Sequence, residues 1–152
     1  MQKYKNILAA VDFSEVSQAA AAEAVRLSEH YNAQLTLLHV VEHFPEHLPH
    51  YRMSQEDMDP QEFLIDRAQK DLKALCTRLG KADANQVVKL TTHSAKAEIL
   101  KYVDSSAIDL IVIGAVGRTI LADLVGGSTA TALVRAAPCD VLTVRPRQAD
   151  SS

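Results

Sequence analysis

Tryptophan is absent from this sequence, and aromatic residues make up only 5% of its 152 positions. A chain so poor in aromatic side chains has little with which to stack the bases of single-stranded nucleic acid. The formal net charge is -3, so the basic excess that accompanies nucleic-acid binding is missing as well. Together these two absences argue against a nucleic-acid partner.

Long hydrophobic runs are also lacking, and no apolar segment approaches the roughly 20 residues needed to span a bilayer. The first residues, MQKYKNILAAVD, contain no extended apolar core of a signal peptide. The two cysteines are isolated, Cys76 in a helical pattern and Cys139 just before an apolar run, and are interpreted as reduced packing residues. These features predict a cytoplasmic protein without membrane insertion.

The remaining composition, 47% hydrophobic and 23% charged, is that of one globular domain. Short apolar runs alternate with segments of helical periodicity, which predicts a parallel sheet with helices on both faces. The predicted strands are Lys5 to Val11, Gln34 to Val41, Gln86 to Thr92, Leu110 to Ile113 and Val141 to Val144. The predicted helices are Glu15 to Tyr31, one from Pro60 that ends at Gly80, one that starts at Ser94, and about Ser128 to Ala137. We expect residues 1–146 to form one α/β domain and residues 147–152 to be a disordered tail.

Three details of these elements can be predicted from single residues. Ser14 and Asp59 are expected N-caps, because their side-chain oxygens can accept from the first free helical N–H groups. Phe63 and Ala97 belong to the apolar stripes of the second and third helices and are predicted to face the sheet. His39 stands in an apolar strand, where a buried, hydrogen-bonded histidine is the simplest expectation.

The segment from Glu42 to Asp59 has no sustained period and contains three histidines. A metal site made of His43, His47 and His50 is one interpretation of this cluster. Two prolines interrupt any helix that would align these side chains, and no cysteine or paired carboxylate completes a ligand set. The sequence therefore favours a solvated loop over a metal site.

Four of the five glycines lie between residues 109 and 146, where strand, glycine-rich segment, helix and strand follow one another. Two residues separate Gly114 from Gly117, and nine separate Gly117 from Gly127 and Ser128. Glycine lets the backbone approach a ligand, and a helix start offers free N–H groups and the positive end of a dipole. The pattern predicts an anion-binding site, with tight turns between packed elements as the alternative explanation.

The position of this segment relative to the sheet adds to the prediction. In an open parallel sheet, ligands bind outside the carboxyl ends of the strands, where the strand order reverses. Asp12, Val40 and Gly114 each end or follow a predicted strand. We expect these three residues to meet at one edge of the sheet.

The common phosphate motifs GxxxxGK[ST] and GxGxxG are missing from the positions where they would function. The spacing G-x2-G-x9-G-S is present instead, with AVDFS after the first strand, LLHVVE at the second, DLIVIG at the fourth and CDVLTVRP at the end. On these residues the chain, from about Lys3 to Pro146, resembles the universal stress protein family. The resemblance implies an open, doubly wound, five-stranded parallel sheet of the Rossmann-like, adenine nucleotide alpha hydrolase-like class, with strand order 3-2-1-4-5.

The resemblance also implies ATP as the ligand, with Mg as a candidate companion and AMP or ADP as alternatives. It places Asp12 beside the adenosine, whereas a helix-capping carboxylate near Ser14 is the other role open to this residue. Family members commonly carry Ser-His between the first two glycines, where this chain has Ala115 and Val116. The matched residues are Ala10, Val11 and Val40 for the adenine pocket, Gly114, Gly117 and Arg118 for one wall of the ribose-phosphate site, and Gly127, Ser128 and Thr129 for the phosphates.

We therefore expect an ATP-binding, nucleotide-dependent regulator or adaptor in the stress response, with a protein partner of unknown identity. The resemblance further implies a homodimer in which the strands Val141 to Val144 of two subunits pair at the sheet edge. No catalytic residue is predicted, because no nucleophile and base stand in a known arrangement. A dimeric adaptor without nucleotide, a slow ATP hydrolase and an FMN-binding flavodoxin-like protein are the alternatives.

Overall fold

The computed structural model of the chain describes residues 3–43, 59–115 and 129–146. In these residues five strands alternate with four helices. The strands are β1 (Asn6–Ala10), β2 (Gln34–Glu42), β3 (Asn85–Thr91), β4 (Leu110–Gly114) and β5 (Asp140–Val144). The helices are α1 (Glu15–Tyr31), α2 (Pro60–Arg78), α3 (Ala95–Ser105) and α4 (Thr129–Ala136). All predicted elements are present, and their ends differ from the predicted ends by at most two residues.

Three helices begin at side chains that cap them. The Ser14 hydroxyl accepts from the Ser17 N–H at 3.2 Å, and the Asp59 carboxylate accepts from the Gln61 N–H at 3.2 Å, which confirms both predicted N-caps. Ser94 caps α3 in the same way. None of the helices in the described residues is long and apolar enough to cross a membrane.

All five strands are parallel and follow the order β3-β2-β1-β4-β5, so the predicted sheet is confirmed. Ala10, at the end of β1, lies between Leu38 of β2 and Ile113 of β4. The connections reverse direction across the sheet between β1 and β4. This reversal fixes the place where a ligand site is expected in a doubly wound sheet.

Two hydrophobic cores lie on opposite faces of the sheet, because successive strand residues point to opposite sides. Ile7 and Ala9 of β1 pack into the core beneath α1 and α2, whereas Leu8 and Ala10 pack into the core beneath α3 and α4. The side of α1 that meets the sheet consists of small residues, and three of them are fully buried: Ala20, Ala21 and Ala24. Small side chains allow this helix to lie close to the strands.

Two predictions of inward-facing residues are wrong. Phe63 is 51% exposed, and Ala97 is exposed as well. The buried residues of α2 begin only at Ala68, and those of α3 are Ile99 and Val103. Both errors fall in the first turn of a helix, and later turns make the buried contacts.

The two edge strands differ in charge. β3 carries the exposed Lys89, a kind of residue that discourages pairing with another strand. β5 has no charged residue from Val141 to Val144, and its Leu142 is 37% exposed. The Ala115 N–H donates to the Val144 carbonyl at 2.8 Å. In a parallel pair this means that the even-numbered residues of β5 direct their backbone N–H and C=O groups toward β4, whereas Val141 and Thr143 direct theirs to the open edge.

Candidate functional site

The carboxyl edge of the sheet brings together the described residues of the predicted site. Because Ala10 pairs with Leu38 and Ile113, the residues that follow, Val11 and Asp12, lie near the ends of both neighbouring strands. Val40 lies two residues beyond Leu38 on β2, and Gly114 is the last residue of β4. The predicted meeting of Asp12, Val40 and Gly114 at one edge is therefore confirmed.

The turn between β1 and α1 is held by side chains. Asp12 accepts the Ser14 N–H at 3.0 Å through Oδ1, and the Asp12 N–H donates to Ser17 Oγ at 3.2 Å. The Phe13 carbonyl accepts from Gln18 Nε2 at 3.0 Å. Phe13 itself has φ of 66°, in the left-handed region that side chains other than glycine rarely occupy. Strained backbone of this kind is found at binding sites where the surroundings hold it in place.

The Asp12 carboxyl is tuned toward its ionised form. Partial desolvation raises the pKa of Asp12, but hydrogen bonds from Ser14 and Ser17 outweigh it and leave the pKa below its ordinary value. The contact with the Ser14 N–H is an Asx turn that leads into α1, whose N-cap is Ser14 itself. Since the residue remains exposed to solvent, this contact leaves acceptor capacity for a ligand.

The pairing between β1 and β2 stops at Val11. The Val11 N–H donates to the Leu38 carbonyl at 2.9 Å, which shows that the even-numbered residues of β2 turn their backbone groups toward β1. A continued ladder would next join the Val40 N–H to the Val11 carbonyl and the Phe13 N–H to the Val40 carbonyl. Neither bond forms among the described residues. Val40 therefore turns one donor and one acceptor toward the opening beside β1.

The imidazole of His39 takes the place of the missing backbone donor to the Val11 carbonyl. Its Nδ1 lies 2.7 Å from the Val11 carbonyl oxygen, and since a carbonyl only accepts, we assign the proton to Nδ1. Its ring also packs against Phe13, with 4.6 Å between ring centroids. The predicted hydrogen bond of His39 is confirmed, although the residue is half-buried rather than fully buried.

Gly114 is required by the packing of α1. A Cβ atom at this position would lie 2.6 Å from Val16 Cγ1 and 2.9 Å from both the carbonyl carbon and the oxygen of Val16. Such distances are too short for real contacts, so only glycine fits beneath this turn of the helix. At Gly114 the glycine is therefore explained by packing, because α1 and β4 approach each other closely there.

The rest of the glycine motif lies outside the described residues. This applies to Gly117, Arg118, Gly127 and Ser128, and to Val116. Thr129, where the described chain continues, is the half-buried first residue of α4. Ala115 is buried and continues the pairing of β4 with β5. The phosphate contacts expected of Gly117, Arg118, Gly127 and Ser128 stay predictions.

His43 is not solvated, so the expectation of a solvated histidine loop is wrong for this residue. Only 4% of His43 is exposed. Its backbone N–H donates to the Thr91 carbonyl at 2.9 Å, which extends the pairing of β2 with β3 by one residue. Its Nδ1 is buried without a hydrogen-bond partner. His47 and His50 lie outside the described residues. Within the described part of the chain, no group of three or more His, Cys, Asp or Glu side chains could hold a metal ion.

Several residues that build this edge were not anticipated from the sequence. Ser17, Gln18 and Phe13 hold the β1–α1 turn, yet in the sequence they read as ordinary positions at a helix start. Glu42 accepts from the Ala95 N–H at 3.1 Å and so supports the start of α3. A serine three residues after an N-cap serine was the one available signal, since it can return a hydrogen bond to the turn.

The fold and its open carboxyl edge define a single-domain, doubly wound α/β protein. Comparison with known proteins then gives the family. The family model described as "Universal stress protein family" matches residues 3–145. The chain is 34% identical to universal stress protein A homolog 2 of Coxiella burnetii over 95% of its own length and 97% of that protein. The chain belongs to the universal stress protein family.

Solved structures share the fold. A crystal structure of a universal stress protein in complex with cAMP is similar with a TM-score of 0.69 and 20% identity, over 93% of this chain and 97% of that one. A universal stress protein from Archaeoglobus fulgidus in complex with dAMP gives a TM-score of 0.59 and 16% identity, over 94% and 98% of the two chains. At these identities the similarity establishes the common fold.

Proposed function

We propose that this protein binds an adenine nucleotide, with ATP as its ligand, and acts as a nucleotide-dependent regulator or adaptor in the stress response. The observation that carries this proposal is the end of the β1–β2 ladder at Val11. It leaves the N–H and C=O of Val40 directed toward β1 with no partner among residues 3–43, 59–115 and 129–146. A neighbouring donor and acceptor complement the N1 acceptor and the N6 amino donor of adenine. The cAMP and dAMP held by the two structural relatives both carry this base.

Asp12 supports the proposal from the other side of the opening. Its pKa lies below the ordinary value of a carboxyl because of the hydrogen bonds from Ser14 and Ser17, and an ionised carboxylate accepts hydrogen bonds from hydroxyl groups. In the proposed complex Asp12 accepts from a ribose hydroxyl while the Ser14 N–H continues to hold its Oδ1 in place. Ala10 and Val11 are buried where β1 ends, on opposite faces of the sheet, and border the proposed base site with apolar side chains.

The phosphate end of the proposed site rests on the family motif. Gly114 and Thr129 stand at the two ends of this motif segment in the sequence. Gly117, Gly127 and Ser128 would bring backbone N–H groups and a hydroxyl to the phosphates, and Arg118 would add a positive charge. Mg would accompany the triphosphate in this arrangement, held by phosphate oxygens.

Calorimetry with AMP, ADP and Mg-ATP tests the proposal directly. We expect saturable binding, with GTP weaker than ATP by roughly tenfold or more, because guanine reverses the donor and acceptor order at the base edge and leaves buried groups unpaired. Gly127→Asp or Ser128→Asp is expected to weaken ATP binding at least roughly tenfold through repulsion of the phosphates.

Gly80→Asp is the matched control for the added charge. Gly80 lies at the end of α2 with φ of 68°, and a Cβ atom added there would meet nothing within 4 Å. Asp tolerates this left-handed conformation, so ATP binding should be unchanged in this variant. Equal affinity of wild type and Ser128→Asp would contradict the phosphate assignment, and failure of every adenine nucleotide to bind the wild type would overturn the proposed function.

We also propose that the protein forms a homodimer through the open edge of β5. Two observations support this interface. Val141 and Thr143 direct outward backbone groups that pair with none of the described residues, and after Asp140, the first residue of β5, no charged residue follows up to Val144. An edge strand whose central residues are uncharged and partly apolar is a pairing surface unless something covers it. The opposite edge carries Lys89 and is the poorer candidate.

Proline substitutions can test this interface without breaking the sheet. Thr143→Pro removes an N–H that faces the open edge and leaves the bonds to β4 intact, so we expect a monomer of 16.6 kDa by sedimentation velocity with the fold retained. Val88→Pro makes the same change at the outer side of β3 and should leave the dimer intact. A wild-type monomer at micromolar concentration, or a dimeric Thr143→Pro protein, would contradict the proposal.

A further inference from the structure

His39 links the candidate site to the neighbouring strand through two separate contacts. Its Nδ1 is 2.7 Å from the Val11 carbonyl oxygen, and its ring lies against Phe13 at 4.6 Å between centroids. Val11 and Phe13 flank Asp12 in sequence. One side chain of β2 therefore contacts the residues on both sides of the candidate ligand residue.

The hydrogen bond of His39 replaces a backbone bond. Val11 is only 5% exposed, so its carbonyl needs a partner within the protein. The regular parallel ladder would supply the Val40 N–H, which lies in line after the bond between Val11 and Leu38. Because the imidazole satisfies the carbonyl instead, Val40 can stay unpaired without leaving a buried acceptor on β1.

The contact with Phe13 has a complementary effect. With φ of 66°, Phe13 leaves the extended backbone conformation of β1 directly after Asp12. Its aromatic ring is one of the partly buried groups packed against the core beneath α1 and α2. The His39 ring lies against it there, so the same side chain that satisfies the Val11 carbonyl also supports the turn.

We propose that His39 is a positioning residue that holds the β1–β2 ladder open, so that the N–H and C=O of Val40 stay available to the base of an adenine nucleotide. This inference deepens the proposed nucleotide site and rests on it for the identity of the ligand. The opening of the ladder is a property of the protein alone, and it can be measured without ligand.

Amide hydrogen exchange of the ligand-free protein, followed residue by residue by NMR, tests the opening. In the wild type the Val40 amide should exchange faster than the Leu38 amide, which lies inside the ladder. In His39→Leu the Val11 carbonyl loses its partner and is expected to accept the Val40 N–H. Exchange at Val40, relative to Leu38, should then slow by roughly 2- to 12-fold, the range of one net hydrogen bond.

The direction of this change separates positioning from general support of the fold. A side chain that merely stabilises the structure would, on removal, speed exchange at both Val40 and Leu38. Unchanged or faster relative exchange at Val40 in His39→Leu would overturn the proposal. His30→Leu, at the exposed carboxyl end of α1, controls for loss of an imidazole and should leave the ratio unchanged.

Two further variants separate the hydrogen bond from the ring contact. His39→Asn places an amide N–H where Nδ1 stands and should keep the wild-type exchange pattern. His39→Phe keeps an aromatic ring beside Phe13 but has no donor, so it should behave as His39→Leu. The reverse order, with Phe resembling wild type and Asn resembling Leu, would show that ring packing rather than the hydrogen bond holds the ladder open.

Binding of AMP connects the opening to the ligand. His39→Leu should weaken AMP binding by roughly tenfold, since the base must break the new backbone bond, and His39→Asn should restore most of the affinity. If the wild type binds no adenine nucleotide while the exchange pattern holds, the proposed function fails and the role of His39 in the ladder stands. If the wild type binds AMP and His39→Leu binds it equally well with unchanged exchange, the role of His39 fails and the proposed function stands.

Discussion

Gly114→Ala is expected to lower the free energy of unfolding by roughly 1–3 kcal/mol, the range for overpacked sites. The added Cβ would lie 2.9 Å from the Val16 carbonyl carbon and oxygen as well as 2.6 Å from Val16 Cγ1. A side-chain carbon can rotate away, but the backbone atoms can move only if α1 shifts as a whole. That helix packs three fully buried alanines against the sheet, so a shift would loosen a large part of one core. Urea unfolding of both proteins gives the difference.

Two companion variants make the test specific. Val16→Ala removes the contact with Cγ1 but leaves both backbone contacts, so adding it to Gly114→Ala should recover only part of the lost stability. Gly80→Asn is the matched glycine control, because Gly80 has a left-handed φ of 68° with open space around it, and asparagine tolerates that conformation. It should be nearly neutral. A Gly114→Ala protein as stable as wild type would show that α1 does not approach β4 this closely.

Ile111→Ala is expected to cost roughly 2–5 kcal/mol, a large share of the roughly 5–15 kcal/mol that holds a typical domain together. Ile111 is fully buried in β4, the strand between β1 and β5, and belongs to the core beneath α3 and α4. Removal of every side-chain carbon beyond Cβ leaves a cavity between the sheet and those helices, which cannot close without moving either layer. Guanidinium unfolding followed by circular dichroism measures the loss.

The smaller change Ile111→Val keeps the branched shape and removes one methylene group. We expect it to cost roughly 0.5–1.5 kcal/mol, in keeping with the smaller cavity. The ratio between the two variants is the informative quantity, since both alter the same site. Equal losses would contradict the cavity explanation, because Ala leaves the larger cavity at this position.

The architecture could be predicted because it depends on patterns that are local in sequence. Uninterrupted apolar runs such as Leu110 to Ile113 mark strands covered on both faces, and the confirmed caps Ser14 and Asp59 mark helix starts. The resemblance to the family supplied the strand order, which no local pattern contains. The membership of the family is shown by the match over residues 3–145.

The candidate site was harder to predict because it depends on contacts between distant segments. The burial of His43 follows from pairing with Thr91, which is 48 residues further along the chain. The reason for glycine at position 114 is its contact with Val16 on another element. The hydrogen bond of His39 was expected, but its partner, the Val11 carbonyl, is 28 residues away in the chain. Periodicity contains none of these pairings.

The strand order also determines how long β1 waits for its second neighbour while the chain is being synthesised. β1 pairs with β2, which follows soon after it, but its other neighbour is β4, where Ala10 meets Ile113. At synthesis rates of about 5–20 residues per second, the ribosome needs roughly 5–20 s to make the intervening residues. During that interval an apolar central strand, Ile7 to Ala10, has one open edge on the nascent chain. Another chain or a chaperone can therefore cover this edge at any time before β4 has been synthesised.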